Sequence, residues 1–545
     1  MAAPYHREAF SAAERAILDR HVTELDGPAF VLVDLPETTR AALFARYSRS
    51  PKSLRRLLLD EFIGEAAPLG ESPDVPPLSH EGPTRVGEAR ARDLFSRVLA
   101  DYGDDSVAQL AGVHLACEQV SQVLAKAIEW GRLAGYLEQS TRYIPYTDRR
   151  DGHYRWFRDP EVLADPELGP VFEQAMDGLF DTYCALLDPL REHLDRSLPQ
   201  QDDPAARRRA LRALALDLLR GLLPAGTVSN VGVFASPQAY EALVMRLRAH
   251  PLPEARAYAE LVLAELRKVI PDFLTRLDRP ERGGVWVDYL RDTDASLRAA
   301  AASLDASLRV DAALTRSEDV RLIEWDAAAE DRIIAAALYP HTSLPADALL
   351  DAVSGLDDER RAALFEAAAG ERRNRRHRPG RGFEHATYTF EIVSDYGAFR
   401  DLQRHRMLTI QWQDLTPRLG YAVPPEVVEA GLEDRWRAAA TQAEAAYERV
   451  VARYPQQAQY LVTLAHRVRY LVRLNAREAM HMIELRTSPQ GHPAYVRVCR
   501  AMHRLIRDQA GHRLVAGAMR FVGSDDVHLP RYAAEAGRRT PAPAE

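Results

Sequence analysis

A pattern met near residue 30 returns near residue 320. FVLVDLPETTRAALFARYS (30–48) and VRLIEWDAAAEDRIIAAALYP (320–340) each set a short apolar run of strand character before an Ala-rich helical stretch. At 545 residues the chain is too long for one ordinary core, so the recurrence predicts two alike domains in tandem, 1–300 and 301–535, ahead of a disordered tail at 536–545. The breaker cluster DRPERGG (278–284) and the Ala-rich helical stretch Ala295–Thr315 mark the boundary.

Charge narrows the function. With 71 Lys and Arg against 79 Asp and Glu, the net charge is -8, which favours a soluble protein over a nucleic-acid coat and requires any anion site to be local. Three cysteines without a CxxC pair argue against a disulfide framework or a zinc site and fit a reducing cytosol. No apolar run reaches the ~18 residues that span a bilayer, so the expected location is cytoplasmic.

Residues 65–85 read as a loop, 86–102 as a helix, and LLPAGTVSNVGVFASPQAY (222–240) as a breaker between long helices. Arg46, Arg49, Lys52, Arg55 and Arg56 form a basic helix face that reads as solvated charge. The loop RRNRRHRPGRG (372–382) reads as lying outside any core.

Three stretches can carry chemistry. In GFEHATYTFEIVSDYGAFRDLQRHR (382–406) an alternating strand precedes a helix that ends in Arg404-His405-Arg406. Such a triplet can grip phosphate through paired hydrogen bonds, or can merely complement the helix dipole. In NAREAMHMIELR, if helical throughout, Asn475 and Arg486 share a face, and Arg477 and His481 lie four apart on a neighbouring one. In Glu138-Gln139-Ser140-Thr141-Arg142-Tyr143, extended chain points a carboxylate, a hydroxyl and a guanidinium the same way, as a nucleotide would need. A cofactor wall and an amphipathic surface helix, or a nucleotide loop and a capped turn, are the competing readings of the last two.

Together these stretches resemble the flavin-dependent thymidylate synthases, whose hallmark is Arg-His-Arg followed by Ser, Glu, Ser and Arg-Tyr. The resemblance occurs twice, each time incompletely. The second half keeps Glu384-His385, the triplet and NAREAMHMIELR but has Trp412 where the family's Glu belongs. The first half keeps Glu138, Ser140, Arg142 and Tyr143 but reads Trp130-Gly131-Arg132 for the triplet, and Ser236 and Gln238 for the Asn and Arg. Arg220 fits a further phosphate Arg of the family, where the second half has Gln459, and Ser106 fits a cofactor-contacting Ser or Thr.

The resemblance implies an α+β fold of two tandem, helix-rich domains, each with a mixed or antiparallel sheet. It also implies a homodimer imitating the family's tetramer. Its implied site is composed from both halves. Ser106, Glu384, Arg404, His405, Arg406, Asn475, Arg477 and His481 would hold FAD; Glu138, Gln139, Ser140, Arg142, Arg220, Arg404 and Arg486 would hold the nucleotide, with Arg486 catalytic. The implied reaction is reductive methylation of dUMP to dTMP with methylenetetrahydrofolate and NADPH, without nucleic acid or membrane partners. Departures keep alternatives open. Asp104 and Pro379 stand for the family's His near folate, Asp401 for a Gln at the nucleotide and His481 for an Asn at the flavin. Another uracil nucleotide, another one-carbon donor or a non-catalytic flavin or nucleotide binder would each fit these changes.

Overall fold

The computed structural model describes residues 8–26, 32–37, 39–40, 42–43, 52–63, 109–198, 203–307 and 319–523. Ser106, the 65–85 loop, the 86–102 helix and the 536–545 tail lie outside the described residues. Two compact units emerge. One comprises Met1–Cys117, Leu133–Leu137 and Val231–Ser307, the other Glu118–Arg132, Glu138–Asn230 and Leu308–Glu545.

In the first half β1 (Val113–Ser121) runs directly into α1 (Gln122–Ile128), and β2 (Ala134–Glu138) follows. After α2 (Leu168–Ser197) and α3 (Pro204–Leu219) comes β3 (Val228–Ala235), then α4 (Pro237–Ala249), α5 (Pro253–Val269) and α6 (Val285–Ser307). The second half opens with β4 (Asp319–Trp325) and α7 (Ala329–Leu338). β5 (Thr387–Asp395) then runs into α8 (Tyr396–Gln403), followed by β6 (Leu408–Trp412) and α9 (Glu433–Val450). Finally β7 (Arg467–Asn475) leads into α10 (Ala476–Arg486) and α11 (Pro493–Asp508). The strand orders are β1–β3–β2 and β4–β5–β7–β6. Among the described residues the duplication is therefore visible as one order used twice, with a further edge strand in the second sheet, whose pairs are antiparallel.

Period-two burial explains the central strand. β7 turns Val468, Tyr470, Val472 and Leu474 inward and its intervening residues outward. Its register against β5 sets Thr387 opposite Asn475 and Asp395 opposite Arg467. Both strands end in capping residues. Asp395 accepts from the Ala398 amide to start α8, and Asn475 accepts from the Glu478 amide to start α10. Those caps decide which side chains each helix presents.

The segment predicted as a breaker has structure of its own. Val228–Ala235 is strand β3, and the residues before it pair reciprocally with the corresponding stretch of the second half. The Ala225 amide donates to the Val462 carbonyl at 2.8 Å, and the Leu464 amide donates to the Leu223 carbonyl at 2.9 Å. This exchange ties the two corresponding stretches together within one compact unit. It needs close approach, since a Cβ on Gly221 would stand 2.9 Å from the Trp436 ring.

Two readings of basic surface are corrected. Arg55 is buried, with Nε and Nη2 donating to the Glu24 carbonyl at 3.0 and 2.8 Å, while Arg56 pairs with Glu8 and Glu14. Arg372 is also buried. It bonds Glu484 through two nitrogens and donates to the carbonyls of His377 and Ala518. Local spacing cannot reveal acceptors supplied from 112 and 146 residues away. Arg372→Met is expected to cost about 3–5 kcal/mol, because it strands a buried carboxylate, and Arg372→Met/Glu484→Leu to recover much of that loss. Urea midpoints measure both.

Candidate functional site

The second compact unit gathers residues from both halves of the sequence. Arg400 on α8 and Arg404 at its C-cap lie one turn apart, with Asp401 beside Arg400. Glu138, the last residue of β2, meets Arg400 Nη2 at 2.5 Å, Lys126 Nζ from α1 at 3.0 Å and Arg404 Nη1 at 3.8 Å. Lys126 also bonds Glu129. Burial by itself raises a carboxyl pKa, but Arg400, Lys126 and Arg404 outweigh it here and hold Glu138 down at about 2.

Arg142 clasps Asp217 of α3 with Nε and Nη2 at 2.6 and 2.7 Å, and donates to the Tyr495 hydroxyl at 2.9 Å and the Gln490 carbonyl at 3.1 Å. Arg220 lies 3.5 Å from Asp401 and 4.0 Å from Asp217. Its Nη2 is buried without a hydrogen-bond partner, and is 3.1 Å from where a Cβ on Gly397 would stand. Asp401 is bonded to Arg404 and is also 3.7 Å from Arg486 Nη1. Against the opposing effect of burial, Arg404, Arg220 and Arg486 keep its carboxyl well below the usual range. Six cationic side chains thus face four carboxyl groups. The surplus positive charge and the unmet donors Arg220 Nη2 and Arg404 Nε suit an anion.

A chain of hydrogen bonds enters this cluster from α10. His405 Nδ1 is 2.8 Å from Glu478 Oε1, and Arg486 Nε donates to His405 Nε2 at 3.0 Å. Because Nε2 must accept, Nδ1 carries the proton, a tautomer assigned from this network. Burial lowers the His405 pKa to about 4, so the ring is neutral near pH 7. His481 Nδ1 also contacts Glu478 at 3.3 Å. His405, Glu478 and His481 bring ligand-type atoms within 4.8 Å of one another, but a ring protonated at Nδ1 offers no lone pair there to a metal ion.

Of the residues singled out in the sequence, Glu138, Arg142, Arg220, Arg404, His405 and Arg486 come together in this cluster. Glu384 and Arg477 form a separate pair at 3.4 Å, with Arg477 also donating to the Pro379 carbonyl at 2.8 Å. Arg406 is exposed. Two geometric expectations need correction. Asn475 is extended and caps α10 instead of sharing a helical face with Arg486. Residues 138–143 are not continuously extended, since β2 ends at Glu138 and a turn begins at Thr141. Within that turn the Ser140 hydroxyl accepts from the Arg142 amide at 3.2 Å, while the Gln139 amide donates to the Asn230 carbonyl at 2.8 Å. Lys126, Asp217, Arg400, Glu478 and Tyr495 were not anticipated. The spacing of Arg400 to Arg404 and of Glu478 to His481 was a usable signal; Asp217 and Tyr495 offered none.

Asp401→Asn is expected to lower the melting temperature by several degrees in chloride buffer, because Arg220, Arg404 and Arg486 lose their shared counter-charge, and added inorganic phosphate to restore part of it. Calorimetry with and without phosphate measures this.

Fold and geometry define a class: a helix-rich α+β protein of duplicated architecture whose two halves both contribute to one buried, predominantly cationic cluster. The family model described as thymidylate synthase complementing protein matches residues 65–272 and 321–510, and the chain belongs to this family. It is 36% identical over 537 residues to a UPF0159 protein of Chlamydia muridarum, covering 97% of this chain and 98% of that one. It is 30% identical over 524 residues to a UPF0159 protein of Thermoplasma acidophilum, covering 91% and 97%. No described helix is long and apolar enough to cross a membrane.

Proposed function

We propose that this protein is a flavin-dependent thymidylate synthase, methylating dUMP at C5 with methylenetetrahydrofolate as carbon donor, NADPH as reductant and FAD as cofactor. Two cytoplasmic chains of two tandem domains, divided near residue 300, would form the working dimer. The observation that carries this reading is the complementarity of the halves. Arg142 and Arg220 from the first lie in the same buried cluster as Arg404, His405 and Arg486 from the second.

The residues fit anionic, ring-bearing ligands. Arg220 Nη2 and Arg404 Nε are unmet donors. Arg381, Glu384 and His385 line a cavity of about 480 Å³, and His385 also lines an apolar one of about 320 Å³ with Ala335, Ala336, Tyr339 and Leu349. In this assignment Arg404, His405, Arg406 and Arg477 would hold FAD with Asn475, His481, Glu384 and Ser106, while Arg142, Arg220, Ser140, Gln139 and Glu138 would order the nucleotide end. The redox chemistry comes with the flavin. The chain binds, orients and excludes water, and Arg486 stabilises negative charge developing on the uracil ring.

Asp401 favours a second reading. Where the family has a Gln at the nucleotide, this chain has an ionised carboxylate held by Arg220, Arg404 and Arg486, which can accept hydrogen bonds but not donate them and so suits another uracil nucleotide. Absorbance of the purified protein with FAD, then release of tritium from 5-labelled dUMP with and without folate, tests the function. No flavin band removes both enzymatic readings, and binding without release leaves a flavin-binding protein. Release only from another uracil nucleotide selects the second reading.

A further inference from the structure

Glu478 is used by neither the family resemblance nor the function proposed above. It is buried on α10 one turn before His481, with its carboxylate on the Nδ1 side of His405. On the other side of that ring, Nε2 accepts from Arg486 Nε. The guanidinium of Arg486 lies over the Tyr495 ring, 5.5 Å from its centroid, and Nη1 points toward Asp401 at 3.7 Å. With Nε committed to His405 and its face against Tyr495, the guanidinium has one orientation in which its Nη groups are directed to the cation cluster.

We propose that Glu478 is a positioning residue, which fixes the proton of His405 on Nδ1 and so makes Nε2 the acceptor that sets the rotation of Arg486. An imidazole has one donor and one acceptor nitrogen when neutral, and the partner of one decides the role of the other. Glu478 can only accept while ionised. Burial would favour its protonated form, but hydrogen bonds from His405 and His481 overcome that and hold its carboxyl at about 2. The order carboxylate, imidazole, guanidinium uses the logic by which an acid orients a catalytic histidine, with an arginine as the group finally aimed. Arg486 is the catalytic residue only on the reading proposed above; its orientation by His405 requires neither flavin nor substrate.

Nitrogen NMR of the full chain labelled in its 17 histidines, with His405→Gln identifying the His405 signal, tests the proposal. The wild-type ring should be neutral at pH 7 with hydrogen on Nδ1. Glu478→Gln, whose amide oxygen still accepts, should retain that signal and most of the turnover. Glu478→Leu leaves Nδ1–H without an acceptor, so part of the population should move its proton to Nε2. In Glu478→Leu, kcat should fall about 10–100-fold with KM within about twofold, a range typical of supporting residues one shell from the reacting group. Hydrogen on Nε2 in the wild type overturns the proposal, as does an unaltered His405 signal with unaltered kcat in Glu478→Leu. If that variant does not fold, the wild-type and Glu478→Gln spectra still decide. If the protein turns over no nucleotide, the spectra test the orientation independently, separating failure of this proposal from failure of the assigned function.

Discussion

Arg486→Ala is expected, on the proposed function, to reduce turnover of dUMP by about 10²–10³-fold, the loss seen when one preorganised donor to a developing negative charge is removed, while the protein stays folded. The fold should survive because Asp401 keeps Arg404 and Arg220 as partners, and Tyr495 keeps its hydrogen bond from Arg142. Catalysis should be lost, because among the described residues Arg486 alone joins His405 Nε2 to the cation cluster. Arg486→Lys should rescue little. A lysine has one nitrogen and cannot donate to His405 while presenting a planar fork to a ligand and lying flat on Tyr495. Steady-state kinetics beside thermal unfolding separates the effects. Wild-type turnover in Arg486→Ala would remove this residue from the mechanism.

Glu138→Ala is expected to destabilise the protein by about 3–5 kcal/mol, since removing one member of a buried ionic network leaves the others uncompensated. Glu138 is shared by Arg400, Lys126 and Arg404. The substitution would therefore leave three cations with less counter-charge at once. Its pH dependence has a definite sign. The folded pKa is about 2, below the ordinary glutamate value of 4.5, so this stabilisation is complete above about 4.5 and is lost as pH falls toward 2. Glu138→Gln should flatten that part of the acid-unfolding profile. Denaturant titrations between pH 2 and 6 measure it, and an unchanged slope would show that Glu138 is not ionised in the folded state. Nucleotide binding should weaken in the same variants because Arg404 loses a support.

The same residue shows what could be read without coordinates. Glu138 stood out by its spacing to Ser140 and Arg142, and was expected to face a ligand from extended chain. Its carboxylate faces Arg400, 262 residues away, and the chain is not extended throughout, since a turn begins at Thr141. Arg404 and His405 were legible because an alternating strand, a capping Asp395 and a short helix fix a triplet at the helix end. Tyr495 and Asp217 were not, because nothing in HPAYVRV or ALALDLL distinguishes a site residue from an ordinary amphipathic helix. Arg372 shows the converse. A loop of six arginines, read as lying outside any core, contains one whose charge is met entirely inside.

By itself the sequence determined the duplication, the strand-into-helix units, the helix end that carries Arg404 to Arg406, and the division of the family's motifs between the halves. Those features are written in local periodicity, capping residues and short spacings, which act over one or two turns of chain. The tertiary structure decided that Arg142 and Arg220 share a cluster with Arg404 and Arg486, that Asp401 and Asp217 supply internal counter-charge, and that Glu478 stands behind His405. These depend on the β5–β7 register and on the reciprocal pairing of residues 221–226 with 460–465. The first joins segments roughly 70–90 residues apart and the second segments about 240 apart, where burial strengthens electrostatic pairing and chain spacing carries no information about it.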